Sequence, residues 1–303
     1  MERRASSPAV PSLLITGHMD VCTTINATRA AIRAARQEGK RIGLVPTMGA
    51  LHEGHLSLVR IAQAKSDFVV VSLFVNPLQF GPKEDLAKYP RSFERDCEML
   101  QRESVDLLFA PTVDEMYPTP AVTYVNVEGL SEHLDGQSRP GHFRGVTTVV
   151  SKLFHIAEPD IAVFGQKDAA QVAIIKRMVC NLNMPVEIVV APIVREPDGL
   201  AMSSRNAYLD PQQRQQALVL SRTLRAVEER FEKGERSAER LIAAGLEILQ
   251  QEPAARLDYL SVVDPESLEP ITNVASRALV AVAAYVGSTR LIDNVVIEGE
   301  RTS

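Results

Sequence analysis

Hydrophobic positions along the chain fall into two alternating patterns. Short, nearly unbroken apolar runs occur at Ile42–Val45, Phe68–Val75, Asp106–Ala110, Asp160–Phe164 and Val186–Ala191. Each has the length of a strand buried on both faces. Between them, apolar residues recur at helical spacing, as at Leu56, Val59, Ile61 and Ala62, and again across Ser92–Glu103, Val146–Ala157 and Ala169–Leu182. Alternation of this kind predicts crossover units, and therefore a parallel sheet with helices on both faces. Such sheets bind ligands at the carboxyl ends of their strands. The conspicuous polar motifs of this chain follow predicted strands, in agreement with that rule.

After about Arg195 the pattern changes. Pro211–Lys233 and Ser237–Gln251 read as two amphipathic, charge-rich helices separated by Gly234. Leu257–Val263 reads as a strand, and Leu279–Val286, the turn Gly287-Ser288-Thr289-Arg290 and Leu291–Ile297 read as an antiparallel hairpin. The expected architecture is α/β: a Rossmann-like parallel sheet domain over residues 1–193, then a smaller C-terminal α+β domain over 194–303. The segment Met1–Val21 carries Arg3 and Arg4 but is interrupted by Pro8 and Pro11, and Glu2 sits poorly in a targeting signal. It reads as a frayed tail, with residues 1–16 its flexible part, on a cytoplasmic protein.

Composition changes this picture little. At 303 residues, with 45% apolar and 23% charged residues, the chain has a globular composition. A net charge of -5 argues against a nucleic-acid partner, since phosphate backbones favour basic faces. Cys22, Cys97 and Cys180 are scattered and form no zinc-like cluster, which fits free thiols in a reducing compartment. No apolar run approaches the length of a membrane span.

The most informative stretch is Pro46–His55, set between a predicted strand and a predicted helix. The first N–H groups of a helix lack internal partners and carry the positive end of its dipole, so such a loop suits phosphate. Here it also delivers His52 and His55, spaced i, i+3, as neutral donors or as imidazolium charges. The alternative is one histidine capping the helix and one exposed.

Four further motifs are compatible with a site, and each also has a plain structural reading. Asn76 and Gln79 follow a strand at a turn forced by Pro77, where primary amides suit hydroxyl, carbonyl or carboxylate groups. Arg139, His142 and Arg144 precede a helix and either bind an anion or brace the fold. Gly165-Gln166-Lys167-Asp168 repeats the strand–glycine–helix arrangement, with Lys167 a point charge for phosphate and Gln171 one turn beyond. Val194–Asn206 joins the Asp198-Gly199 turn to Met202-Ser203-Ser204-Arg205, which reads either as a mobile phosphate clamp or as a turn and a cap.

Taken together and in this order, the motifs resemble the pantothenate synthetase (pantoate–β-alanine ligase) family, over a span from roughly residue 40 to the C-terminus. His52-Glu53-Gly54-His55 matches the His-x-Gly-His signature of the nucleotidyltransferase superfamily. Met202-Ser203-Ser204-Arg205 looks like its counterpart of the Lys-Met-Ser-Lys-Ser loop in related adenylating enzymes. The resemblance implies that ATP and pantoate give pantoyl adenylate and pyrophosphate, and that β-alanine then gives pantothenate and AMP. It implies an ATP site of Met48, Gly49, His52, His55, Gly165, Gln166, Lys167, Asp168, Val194, Met202, Ser203, Ser204 and Arg205. Of these His52, His55, Lys167, Ser203, Ser204 and Arg205 would be catalytic, with His55 an acid or charge stabiliser and Lys167 stabilising the pentacovalent phosphorus. Asn76, Gln79 and Gln171 would hold pantoate and β-alanine. Mg²⁺ would ride on the ATP phosphates with no protein metal site, the C-terminal unit would act as a lid, and the protein would be a homodimer. The chain departs from many relatives at Ala169 and Ala170, but keeps Gln171. The competing expectations are a related nucleotidyltransferase that joins a nucleotide to a phosphate ester, and a nucleotide-binding regulator without chemistry.

Overall fold

The structure, a computed structural model, describes residues 19–82, 84–118 and 121–299, so the expected flexible tail Met1–Thr16 lies outside the described residues. The first unit contains strands β1 (Asp20–Cys22), β2 (Ile42–Thr47), β3 (Phe68–Leu73), β4 (Leu107–Phe109), β5 (Ile161–Gly165) and β6 (Glu187–Ala191). Its helices are α1 (Ile25–Gln37), α2 (Glu53–Gln63), α3 (Phe93–Arg102), the short α4 (Val113–Met116) and α5 (Asp135–Ser138), α6 (His142–Ala157) and α7 (Ala169–Asn181). The six strands lie in the order β1-β4-β3-β2-β5-β6, and every neighbouring pair is parallel.

Burial on both faces explains the unbroken apolar runs. Leu44, Val70, Phe109 and Phe164 pack into one core with residues of α1, α6 and α7. Their chain neighbours Val45, Val71, Leu108 and Val163 enter a second core with residues of α2 and α3. The period-2 geometry of a strand sends adjacent side chains to opposite faces, so both must be apolar.

The second unit contains α8 (Pro211–Ala217), α9 (Val219–Glu232), α10 (Ala238–Leu249) and an antiparallel sheet of β7 (Ala255–Val263), β8 (Arg277–Val286) and β9 (Thr289–Glu298). One face of this sheet, through Val280, Val282 and Ala284, packs with residues of α9 and α10. The other, through Val263, Leu279 and Ala281, joins the core of the first unit.

Three expectations change. Asp20 and Val21 belong to β1, not to the tail, and β1 and α1 carry no strong apolar signal. A three-residue edge strand with a single partner leaves its outer side exposed. The continuous helix expected over Pro211–Lys233 divides at Leu218, where a tighter turn closes the Leu218 N–H onto Gln215 O at 3.3 Å. The hairpin turn is Gly287-Ser288 alone, with Val286 opposite Thr289 and Gly287 at φ +58°.

β2 is followed in sequence by its neighbour β3 on one side, while β5 lies on its other side. The loops leaving β2 and β5 therefore diverge and open a crevice at their carboxyl ends.

Candidate active site

That crevice holds a cavity of about 220 Å³. Met48, His52 and His55 enter it from the loop after β2, and Asn76 and Gln79 from the turn after β3. Gly165, Lys167, Asp168 and Gln171 enter it after β5, and Val194 and Met202–Arg205 after β6. Four loops spread along most of the chain thus converge at one point. Two expected members are set back from the cavity. Gly49, at φ +82°, lies under the loop against Asp96 and Leu73. The Gln166 side chain turns toward the second unit and donates to Asn294 Oδ1 at 3.0 Å.

His52 is the N-cap of α2, and its Nδ1 accepts from Gly54 N–H at 3.1 Å. His55 reaches back in turn, its Nδ1 accepting from His52 N–H at 3.3 Å. A capping box normally uses oxygen acceptors, so imidazoles can serve only if Nδ1 carries no proton. Both rings are therefore neutral tautomers with their proton on Nε2, the edge left free for a ligand. Both rings take part in the cap, and capping through Nδ1 does not exclude a ligand at Nε2. A Cβ on Gly54 would stand 2.8 Å from His52 Cε1, which explains the glycine in His-x-Gly-His. Burial, and next the Lys167 charge, lower His52 to about 4. Burial, then His52 and Lys167, lower His55 to about 3. At neutral pH these rings carry no charge, and each has its proton on Nε2.

The loop is fixed from below by Asp96 of α3, buried at 1% exposure. Its oxygens accept from Ala50 N–H at 2.8 Å and Leu51 N–H at 2.9 Å, holding Ala50 at φ +51°. Asp96 lies 45 residues from Leu51, and nothing in the sequence links them.

Asn76 is also 1% exposed, and its amide is fully committed. Nδ2 donates to Gln79 Oε1 and to Gly145 O, each at 3.0 Å, while Oδ1 accepts from Tyr117 Oη–H at 2.7 Å and from Leu78 N–H at 3.3 Å. Asn76 therefore braces Gln79 and has no free group to offer. Gly145 lets this turn rest on α6, since a Cβ there would stand 2.3 Å from Leu78 O.

Arg139 lines the cavity and Arg144 does not. Arg139 forms a two-pronged pair with Glu84 at 2.6 and 3.0 Å and contacts His142 Nε2 at 3.0 Å. His142 Nδ1–H donates to Gln79 O at 2.8 Å, and burial, then Arg139, lower its pKa to about 4. Arg144 stacks over Tyr124 at 3.8 Å.

The loop after β6 closes on itself through the Arg195–Ala201 bridge, and Ser204 Oγ–H ties it to Ala50 O at 3.1 Å. Ser203 caps the following turn by accepting from Arg205 N–H at 3.3 Å. Arg205 is not a free cation. Asp85 takes its guanidinium at 3.0 and 3.1 Å, and Tyr208 Oη is 3.4 Å from the same carboxylate. Burial opposes ionisation of Asp85, but Arg205 outweighs it and holds the carboxyl below its ordinary range. Gly165 is extended at φ -81°, and a Cβ there would meet only Leu58 at 3.9 Å. Neither conformation nor protein packing demands this glycine, and it lines the cavity.

Fold and site define a class: a doubly wound α/β enzyme with a crevice lined by imidazole and ammonium groups at the switch point of its sheet. The pantoate-β-alanine ligase family model matches residues 20–296, and the chain belongs to that family. It is 60% identical over 291 residues to a pantothenate synthetase of Koribacter versatilis, covering 94% of this chain and 100% of that one. A pantothenate synthetase of Acidobacterium capsulatum is 61% identical over 285 residues, covering 90% and 95%. The crystal structure of pantothenate synthetase from Thermus thermophilus superposes with a TM-score of 0.88 at 48% identity, covering 91% and 99%. A pantoate-β-alanine ligase from Francisella tularensis, complexed with β-γ ATP and β-alanine, superposes at 0.76 with 33% identity, covering 91% and 97%.

Proposed function

We propose that this chain condenses pantoate with β-alanine at the expense of ATP, through a pantoyl-adenylate intermediate. A pantoate carboxylate oxygen attacks the α-phosphorus and pyrophosphate leaves. The β-alanine amine then attacks the acyl carbon, and AMP leaves with the electrons of the broken C–O bond. The observation that carries this reading is the set of donors around one crevice: the two imidazole Nε2–H groups at the start of α2 and the Lys167 ammonium. The Francisella relative, described with β-γ ATP and β-alanine, supports the same substrates here.

Carboxylate and triphosphate repel, so their charge must be offset before attack. His52 and His55 donate to phosphate oxygens, and Lys167 stabilises the pentacovalent phosphorus. Bound phosphate would raise both imidazole pKa values from their depressed level by favouring the charged form, while the backbone N–H groups on Nδ1 favour the neutral ring. Met48, Gly49, Gly165, Gln166, Asp168, Val194, Met202 and Ser203 complete the ATP site, Gly49 and Gln166 through backbone. Ser204 and Arg205 join it when ATP phosphate displaces Asp85 from Arg205. Gln79 and Gln171 hold pantoate, and Asn76 positions Gln79 beside the β-alanine approach. Phe74, Val146, Val149 and Val150 supply an apolar wall suited to the dimethyl carbon of pantoate.

Among the described residues no cluster of three His, Cys, Asp or Glu side chains could hold a metal ion. Mg²⁺ fits on the oxygens of the triphosphate itself and neutralises part of its charge. The second unit forms the smaller cover over the crevice, excluding water from the mixed anhydride. Among the described residues no helix is long and apolar enough to cross a membrane. A cytoplasmic homodimer is the working state we propose.

Exchange of labelled pyrophosphate into ATP is expected to require pantoate and not β-alanine. AMP release with pantothenate formation is expected only with both. Lys167→Ala and His55→Ala are expected to lower turnover about a hundredfold or more, the scale of losing a charge-stabilising donor. Near-normal rates in both variants would remove the assigned roles.

A further inference from the structure

We infer that Asn294, in the middle of β9, is a positioning residue for Lys167, so that the C-terminal sheet builds part of the phosphate site and does not only cover it. This rests on the role given to Lys167 above. Asn294 is 3% exposed. Its Nδ2 donates to Gln166 O at 3.0 Å and to Lys167 O at 2.9 Å, and its Oδ1 accepts from Gln166 Nε2–H at 3.0 Å. Both amide hydrogens and the carbonyl are thus spent on two consecutive residues more than a hundred positions away.

A buried amide is costly unless its hydrogen bonds are made, and an apolar side chain would fill the same space at less risk. What an apolar side chain cannot do is hold those two carbonyls. The turn Gln166–Asp168 needs such a hold, because neither Gly165 at its start nor Asp168 at the start of α7 makes a side-chain cap. The backbone that carries Lys167 is therefore fixed from the second unit.

The adjacent residue makes a parallel grip. Asp293, also 3% exposed, receives the Arg195 guanidinium with both oxygens, at 2.6 and 3.0 Å. Arg195 opens the loop that carries Ser203 and Ser204. Asp293 Oδ1 also accepts from Asn294 N–H at 2.8 Å, which links the two grips. One dipeptide of β9 thus sets the spacing of two phosphate-facing segments, each the continuation of a different strand of the parallel sheet.

Misplacing a catalytic group by about an ångström can cost about a hundredfold in rate. The test is a double-mutant cycle read as the single-turnover rate of pantoate-dependent pyrophosphate release at saturating ATP. Asn294→Leu keeps the size and removes the donors. It is expected to slow this step by about tenfold or more in the native background, and by less than about twofold in a Lys167→Ala background. Equal losses in both backgrounds, or no loss in the native one, would overturn the assignment and leave Asn294 a packing residue. A near-normal rate for Lys167→Ala alone would instead overturn the role of Lys167, a distinct result. If Asn294→Leu does not fold, Gln166→Met removes only the third bond. It is then expected to slow the native enzyme a few-fold and the Lys167→Ala enzyme not at all, and additivity there would overturn the assignment equally.

Discussion

The charge state of the site is set one ring at a time. His52, His55 and His142 are each depressed from 6.5, to about 4, 3 and 4. Above pH 6.5 the rings are neutral in both folded and unfolded chains and add nothing to the pH dependence of stability. Below it, unfolded rings take up protons that the buried rings refuse until the pH approaches their folded values. Stability is therefore lost as pH falls from about 6.5 toward 4, by up to about 1.4 kcal/mol per pH unit for each ring. Urea unfolding at pH 7 and pH 5 should show a larger loss for the native chain than for His142→Asn, and equal losses would mean that His142 is already protonated in the folded state. The imidazoles were legible in the sequence from their place between strand and helix. Their neutrality was not, because it comes from burial and from backbone N–H donors that only the folded loop supplies. Asn76 shows the converse: it was legible as a site residue, but the fold spends its amide on Gln79, Gly145, Tyr117 and Leu78.

At the scale of elements, two supports determine where the loops stand. The α2 entry loop hangs on Asp96, and the Asn76–Gln79 turn rests on Gly145. Asp96→Ala would leave the Ala50 and Leu51 N–H groups without partners, at roughly 1–3 kcal/mol each. The expected result is a destabilised protein with weakened ATP binding, and calorimetric titration with unchanged ATP affinity would show that the loop stands without Asp96. Gly145→Ala must push Leu78 O away from 2.3 Å. A stability loss of about 1–3 kcal/mol is expected from overpacking, with a raised KM for pantoate as Gln79 shifts. A thermal midpoint and KM both at native values would refute that contact. Strands of the first unit were legible because burial on both faces forces continuous apolar runs. β1 was not, since an edge strand of three residues has no such requirement. The one-helix reading of Pro211–Lys233 failed because helical periodicity continues across Leu218 while the backbone does not.

At the scale of the whole molecule, the two units are tied by buried polar contacts as well as by apolar packing. Arg290 of β9 bonds Asp135 of α5 at 2.6 Å and Asp258 of β7 at 2.7 and 2.9 Å, and Ser138 Oγ–H donates to Asp258 at 2.7 Å. Removing one member of a buried pair strands the others, so Arg290→Leu is expected to cost about 3 kcal/mol. Hydrogen exchange should then show the second unit losing protection before the first. An unchanged exchange pattern would mean that apolar packing alone joins them. The second unit also holds two loops of the first through Asn294 and Asp293, the contacts on which the proposed positioning of Lys167 rests. Local order along the chain determined much of this protein: alternating strands and helices, polar motifs at strand ends, glycines where a ring or a turn needs room, and a change of pattern near residue 193. Those features depend on neighbours a few residues apart, and the sequence carries them directly. Which side chain holds which loop was decided only in the tertiary structure, as for Asp96 under Ala50, Asp85 on Arg205 and Asn294 on Lys167. Such partners lie 46 to 127 residues apart, and a single polar side chain carries no mark of a partner brought to it by sheet order and domain packing.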